Sequence, residues 1–147
     1  MKLVIVDSSV LVASIDGRDV HHERAVGLLG AIARADARPV ILDCVVNEIV
    51  TVLCRRRNER SPDAELPDFV RLFPQASVTA SYPMMSDRME EILGRVSESG
   101  GRLSPHDVLI LLYAEAKGIG WIATFDEDFR DRGPAVLSSA GDVPASE

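Results

Sequence analysis

Lys2-Leu3-Val4-Ile5-Val6-Asp7 decides the reading of this chain, because a β-branched apolar run stops abruptly at a carboxylate. A run without polar alternation is the pattern of a strand buried on both faces, as in a parallel sheet. Ser8 to Ile15 reads next as a helix, then roughly Val20 to Ala35 as another, with Ala25, Leu28, Leu29 and Ile32 on one face. The pattern then repeats. Pro39–Leu42 is an apolar strand that also ends in an aspartate, Asp43, and Val45, Val46, Ile49, Val50 and Leu53 follow at helical spacing to about Arg57. Strands alternating with helices imply right-handed crossovers and a mainly parallel sheet covered on both faces.

Farther along, Ser61-Pro62-Asp63 reads as a helix start, with Ser61 at the cap and Pro62 in the first turn, cut short by Pro67. Ser77–Ala80 is a third strand, and Met85 to about Val96 a helix that ends in Gly100-Gly101. Ser104-Pro105-His106-Asp107 opens a strongly apolar helix to Lys117-Gly118, and Trp121–Thr124 and Ala135–Leu137 supply the fourth and fifth strands. A single domain is expected over residues 1–147, with Ser138 to Glu147 as a loose tail.

The chain's 147 residues, 46% hydrophobic and 27% charged, suit one ordinary globular domain. Its net charge of −7, from 16 Lys+Arg against 23 Asp+Glu, argues against a general electrostatic nucleic-acid binder. An enzyme that recruits divalent cations stays open, since the metals restore local positive charge. Cys44 and Cys54 lie on one predicted helix. At about 1.5 Å of rise per residue they sit roughly 15 Å apart, beyond disulfide reach, as thiols of a reduced cytosolic protein. Asp7 interrupts the N-terminal apolar run, and no stretch approaches the ~20 apolar residues of a membrane span. A cytoplasmic protein without membrane contact is expected.

Four acids carry the chemistry. Asp7 ends the first strand and Asp126 closely follows the fourth, so if those strands are neighbours the two carboxylates meet beyond the sheet's carboxyl edge. Either could instead be a helix cap. Asp107 forms a capping box with Ser104, although a first-turn carboxylate can cap with one oxygen and bind a cation with the other. Glu48, with Cys44, Val45, Thr51 and Val52 three and four positions away, stands at the edge of an apolar face. There it is costly unless paired, hydrated or metal-bound, or unless its stem snorkels to solvent. Brought together, four uncompensated carboxylates repel and raise one another's pKa, and a hard divalent cation removes that penalty. An all-oxygen set favours Mg²⁺ or Mn²⁺ over zinc. Arg55-Arg56-Arg57 with Arg60 is the basic cluster, able either to guide phosphates or simply to suit a helix end. His21 and His22 read as surface residues, and His106, in the first turn of its helix, either faces the site or is solvated.

Leu3-Val4-Ile5-Val6-Asp7-Ser8-Ser9, Val45-Val46-Asn47-Glu48-Ile49, the helix from Asp107 through Ala114 and Ala116, and Trp121-Ile122-Ala123-Thr124-Phe125-Asp126-Glu127-Asp128-Phe129 resemble, in order and spacing, the four blocks of PIN-domain nucleases. The similarity is nearest to VapC-type toxins of bacterial toxin–antitoxin pairs. This resemblance implies a three-layer α/β/α sandwich on a five-stranded parallel sheet, Mg²⁺- or Mn²⁺-dependent endoribonuclease activity, homodimerisation and inhibition by a cognate antitoxin. It makes Asp7 and Asp107 the principal metal ligands, with Glu48 and Asp126 completing the site, Asp128 a fifth acid and Thr124 orienting the carboxylates. RNA would be hydrolysed by a metal-activated water, oriented by Glu48 or Asp126, to a 5′-phosphate and a 3′-hydroxyl. Two features depart from the family pattern: the long motif-free segment between Glu48 and Asp107, and Pro105-His106 before Asp107. The rival readings are a PIN nuclease of RNA processing or decay and a non-catalytic PIN-fold binding module. A phosphatase of the haloacid dehalogenase type would want an aspartate where Ser9 stands.

Overall fold

The computed structural model describes residues 2–145. Its centre is a five-stranded parallel sheet built from β1 (Lys2–Val6), β2 (Ala37–Leu42), β3 (Val78–Thr79), β4 (Trp121–Ala123) and β5 (Ala135–Leu137), in the order β3-β2-β1-β4-β5. The most apolar strand takes the middle, where Ile5 pairs with Val40 on one side and Ile122 on the other. Val4, Ile5 and Val6 are all buried although their side chains point to alternate faces, so helices cover both. The three-layer α/β/α architecture expected from the sequence is the one observed.

Among the described residues seven α-helices surround the sheet: α1 (Ser8–Ile15), α2 (His22–Arg34), α3 (Asp43–Arg60), α4 (Phe69–Leu72), α5 (Tyr82–Asp87), α6 (Met89–Glu98) and α7 (Pro105–Lys117). In one group α1 packs on both α2 and α3; in another, α6 packs on α7. Helix α7 is apolar nearly all round because it is enclosed, with Val108 through Leu112 all buried. Each such aliphatic side chain contributes about 1.5–3 kcal/mol by leaving water. Both ends of α7 are built as the sequence suggests, with the Ser104–Asp107 capping box at one and Gly118, in the left-handed region at φ 64°, at the other. Cys44 and Cys54 are free thiols on α3, and burial pushes the Cys44 thiol up to about 11. No described helix is long and apolar enough to cross a membrane.

The middle of the chain departs from expectation. Ser61 does not start a helix. It ends α3, its N–H bonding to the Arg57 carbonyl, and a turn follows before Asp68 caps the short α4. The single helix expected from Met85 to Val96 is two, α5 and α6, parted at Arg88. The third strand is only Val78–Thr79, and α2 begins at His22 rather than Val20. The segment expected as a loose tail is anchored: Ser139 and Asp142 form a capping box around a 3-10 turn, Ala140–Asp142, that packs on α2. Lys2 Nζ also donates to the Ala145 carbonyl at 3.2 Å. The rest of that expected tail, Ser146 and Glu147, lies outside the described residues.

Candidate active site

Because Val6 pairs with Ala123, the chain leaves β1 and β4 side by side, and Asp7 N–H bonds to the Ala123 carbonyl at 2.9 Å. The chain turns from β1 toward β2 on one side while β4 lies on the other, which opens a crevice at the carboxyl edge between β1 and β4. Asp7 stands at the N-cap position of α1, yet its side chain makes no capping hydrogen bond. Its Oδ2 instead accepts from Thr124 Oγ1 at 2.7 Å and from Ser9 Oγ at 3.1 Å. The two hydroxyls carry the network onward. Ser9 Oγ accepts from the Phe125 N–H at 3.0 Å, and Thr124 Oγ1 from the Asp126 N–H at 3.0 Å. Asp126 Oδ1 then accepts from the Asp128 N–H at 2.9 Å. Thr124 Oγ1 thus bridges the Asp7 carboxylate and the Asp126 backbone, and Asp128 joins the network through its backbone.

Asp7 is only 4% exposed. Burial pushes its carboxyl up to about 6, against the hydrogen bond from Thr124, and the charge of Glu48 pushes the same way. Glu48 is half-buried on α3, and its charge acts on Asp7. Asp107 is fixed by its capping box, accepting from Ser104 N–H at 2.8 Å while Ser104 Oγ accepts from Asp107 N–H at 3.1 Å. Burial raises the Asp107 carboxyl too, against Ser104, and the charge of Asp126 adds to the rise.

Of the four acids, Asp7 thus feels the charge of Glu48, and Asp107 that of Asp126. None of the four forms an ion pair with Lys, Arg or His among the described residues. Nor, among those residues, do three His, Cys, Asp or Glu side chains gather closely enough to cage one ion. By chemistry the donor set, all carboxylate and hydroxyl oxygen with uncompensated charge, fits a hard divalent cation.

Other candidates resolve differently. Arg56 is committed to Asp16 and Asp19 at 2.9 and 2.8 Å, and Arg57 Nε to the Ala64 carbonyl at 2.8 Å, so much of the basic cluster is structural. His106 is not a plain solvated residue. It is half-buried, its ring 5.8 Å from that of Tyr82, with Nε2 3.5 Å from the tyrosine hydroxyl. His22 is likewise held, Nδ1 to the Ala13 carbonyl at 2.7 Å. Sequence reasoning missed Ser9 as a partner of Asp7, although a hydroxyl two positions after the strand-end acid was its signal. It also missed Asp43, which accepts from the Ser81 N–H at 2.9 Å, the Ser81 hydroxyl and the Tyr82 N–H at 3.4 Å, tying α5 to α3.

Comparison with known proteins adds two findings. A family model described as the PIN domain matches residues 4–133. Among solved structures, the chain is similar to VapC20 of Mycobacterium tuberculosis, described as a Sarcin-Ricin loop cleaving toxin. That match has a TM-score of 0.68 and 24% sequence identity, and it covers 92% of this chain and 98% of the other. At that identity the likeness shows a shared fold. No curated protein matches the chain by sequence.

Proposed function

The chain belongs to the PIN-domain family, and from that premise we propose that it is a Mg²⁺- or Mn²⁺-dependent endoribonuclease. We further propose that it is the toxin of a type II toxin–antitoxin pair, cytoplasmic, homodimeric and restrained by a cognate antitoxin protein. The observation that carries the nuclease reading is Asp7: a buried carboxylate, raised to about 6, held by hydroxyls and left without a cationic partner. Such a group is costly in the free protein, and a divalent cation relieves it. The likeness in fold to a toxin supports the finer reading.

Asp7, Asp107, Glu48 and Asp126 would supply carboxylates to divalent cations, directly or through their waters, and bound cations would neutralise phosphate charge and lower the pKa of water. The chain's own residues do the rest. Thr124 and Ser9 lock the Asp7 carboxylate, and Thr124 also ties down the Asp126 backbone. The capping box fixes Asp107 on a rigid helix end. Glu48 or Asp126 orients the attacking water and accepts its proton. The water oxygen bonds to phosphorus as the bond to the 3′ oxygen breaks, and that oxygen takes a proton from solvent, leaving a 5′-phosphate and a 3′-hydroxyl. The protein's part is position and charge.

Purified protein incubated with structured RNAs and Mn²⁺ should cut them, and Asp7→Asn should reduce cutting on the order of 10²–10³-fold while the fold persists. Robust cleavage by that variant, or by EDTA-stripped protein, overturns the assignment. Failure of wild-type protein to cut any RNA favours a non-catalytic binding module. For the toxin, induced expression should arrest growth and an adjacent gene should encode a small inhibitory partner. Active protein that is harmless on expression and has no such neighbour points to a nuclease of RNA processing or decay.

A further inference from the structure

Resting on the ribonuclease reading, we infer that the cleft beside Glu48 is a nucleobase subsite, which takes one unpaired RNA base flanking the scissile phosphate. The cleft holds about 440 Å³ and is walled by Asn47, Glu48, Thr51, Met85, Pro105 and His106. Its position follows from sequence neighbours: Glu48 belongs to the acidic site, and His106 directly precedes Asp107 on α7. Whatever fills the cleft therefore meets Glu48 and lies beside the helix end that carries Asp107.

The walls select the chemistry of the occupant. No Lys or Arg lines the cleft among the described residues, and its formal charge is that of Glu48. An anionic phosphate is repelled there. The Met85 thioether and the Pro105 ring supply apolar, polarisable surface, while Asn47, Thr51 and His106 place a few polar groups on the rim. Apolar walls with a few oriented polar groups suit a small, flat, uncharged ligand. Single-stranded RNA offers such a ligand in a splayed base, which proteins stack on apolar or imidazole surfaces and read by its edge.

The polar groups are also held ready. Asn47 Nδ2 donates to the Tyr82 hydroxyl at 3.0 Å, which leaves the amide carbonyl oxygen to accept from a base amino or imino group. The same hydroxyl meets His106 Nε2 at 3.5 Å, and the tyrosine ring packs edge-on against the imidazole. Tyr82 itself is tethered through the Asp43–Ser81 bonds, so α5 cannot drift from α3. Asn47 and Thr51 lie one turn apart on α3 and thus share a side of that helix. The motif-free segment between Glu48 and Asp107 in this way contributes the wall and the clamp of a recognition cleft.

Two measurements test this. In the first, adenosine, guanosine, cytidine and uridine are titrated at millimolar concentration into ¹⁵N-labelled, metal-free full-length protein. One base should move the Asn47 side-chain amide and the backbone amides of Thr51 and His106 more than the others, and His106→Ala should weaken that binding about tenfold. In the second, an RNA library with randomised positions is cut in Mn²⁺ and the ends are sequenced. Wild-type protein should favour one base at one position beside the cut, and His106→Ala should flatten that preference about tenfold at that position alone. Cleavage with the same base preference in both proteins overturns the subsite, whatever the nucleosides do. If no RNA is cut, the nuclease reading fails and the nucleosides decide: selective shifts in the cleft sustain a base site, and their absence overturns it.

Discussion

The two ends of α1 carry aspartates that the protein treats in opposite ways. At the C-terminal end, Asp16 and Asp19 share Arg56 Nη1 at 2.9 and 2.8 Å. Burial raises both carboxyls, but backbone N–H bonds from Arg18 and His21, together with Arg56, outweigh it and hold them below the usual carboxylate range. At the N-terminal end, burial wins over the hydroxyls and Asp7 stands at about 6. The protein could have balanced Asp7 with an arginine as it did Asp16. Leaving it unbalanced costs stability, and on the proposed reading a divalent cation supplies the countercharge.

The largest effect should come from Asp7→Asn, which removes the unbalanced charge and keeps the shape. Cleavage should fall on the order of 10²–10³-fold, the size expected when a group acting on transition-state charge is lost. Metal-free stability at neutral pH, read by urea denaturation, should rise by about 1–3 kcal/mol, since a buried carboxyl moved from 3.8 to about 6 carries a penalty of that order. A destabilised variant would make Asp7 structural and erase the contrast with Asp16.

Arg56→Met tests the other end. Two part-buried carboxylates lose their shared cation, and stability at neutral pH should drop by about 1–3 kcal/mol, below the cost for a wholly buried pair because both retain some solvent. Cleavage by the surviving folded protein should persist.

The pH dependence sharpens the contrast. A carboxyl whose folded-state value is raised binds its proton more tightly in the folded form. Its penalty is absent below the unfolded value near 4 and complete above about 6. The stability gap between Asp7→Asn and wild type should therefore be near zero at pH 4 and full at pH 7, and saturating Mn²⁺ should close it at pH 7. A gap independent of pH would show that the charge of Asp7 is not what costs stability.

Thr124→Val should give the smallest change, about 1 kcal/mol, by removing a buried hydroxyl that bridges Asp7 and the Asp126 backbone. The Asp7 carboxyl should titrate higher still, and the activity profile should shift to higher pH with it.

Where an apolar run met an aspartate or a glycine, the sequence was legible. The bounds of β1, α1, α7 and β5 follow from such runs, and the meeting of β1 with β4 follows from parallel-sheet logic. The stretch from Ser61 to Gly100 was opaque for physical reasons. Ser61-Pro62 satisfies the local rules for a helix start, yet the last carbonyls of α3 claim the Ser61 N–H. Arg88 carries no breaker, so nothing local announces the gap between α5 and α6. At the site, Asp126 and Asp107 could be suspected of capping because caps are local, and both do cap. Asp43 could not be read, since its partners Ser81 and Tyr82 are remote in sequence and reach it through the assembled fold.

The pairing of Val6 with Ala123 also has a bearing on synthesis. Ribosomes add roughly 5–20 residues per second, so β1 is made several seconds before the strand that completes its second edge. Until then that edge is an open template for wrong partners, and Asp7 lacks the hydroxyl of Thr124. A translation product stalled before Trp121 holds Asp7, Glu48 and Asp107 but neither Thr124 nor Asp126, whereas the finished chain covers the second edge of β1 and ties Asp7 to Thr124 in one closing step.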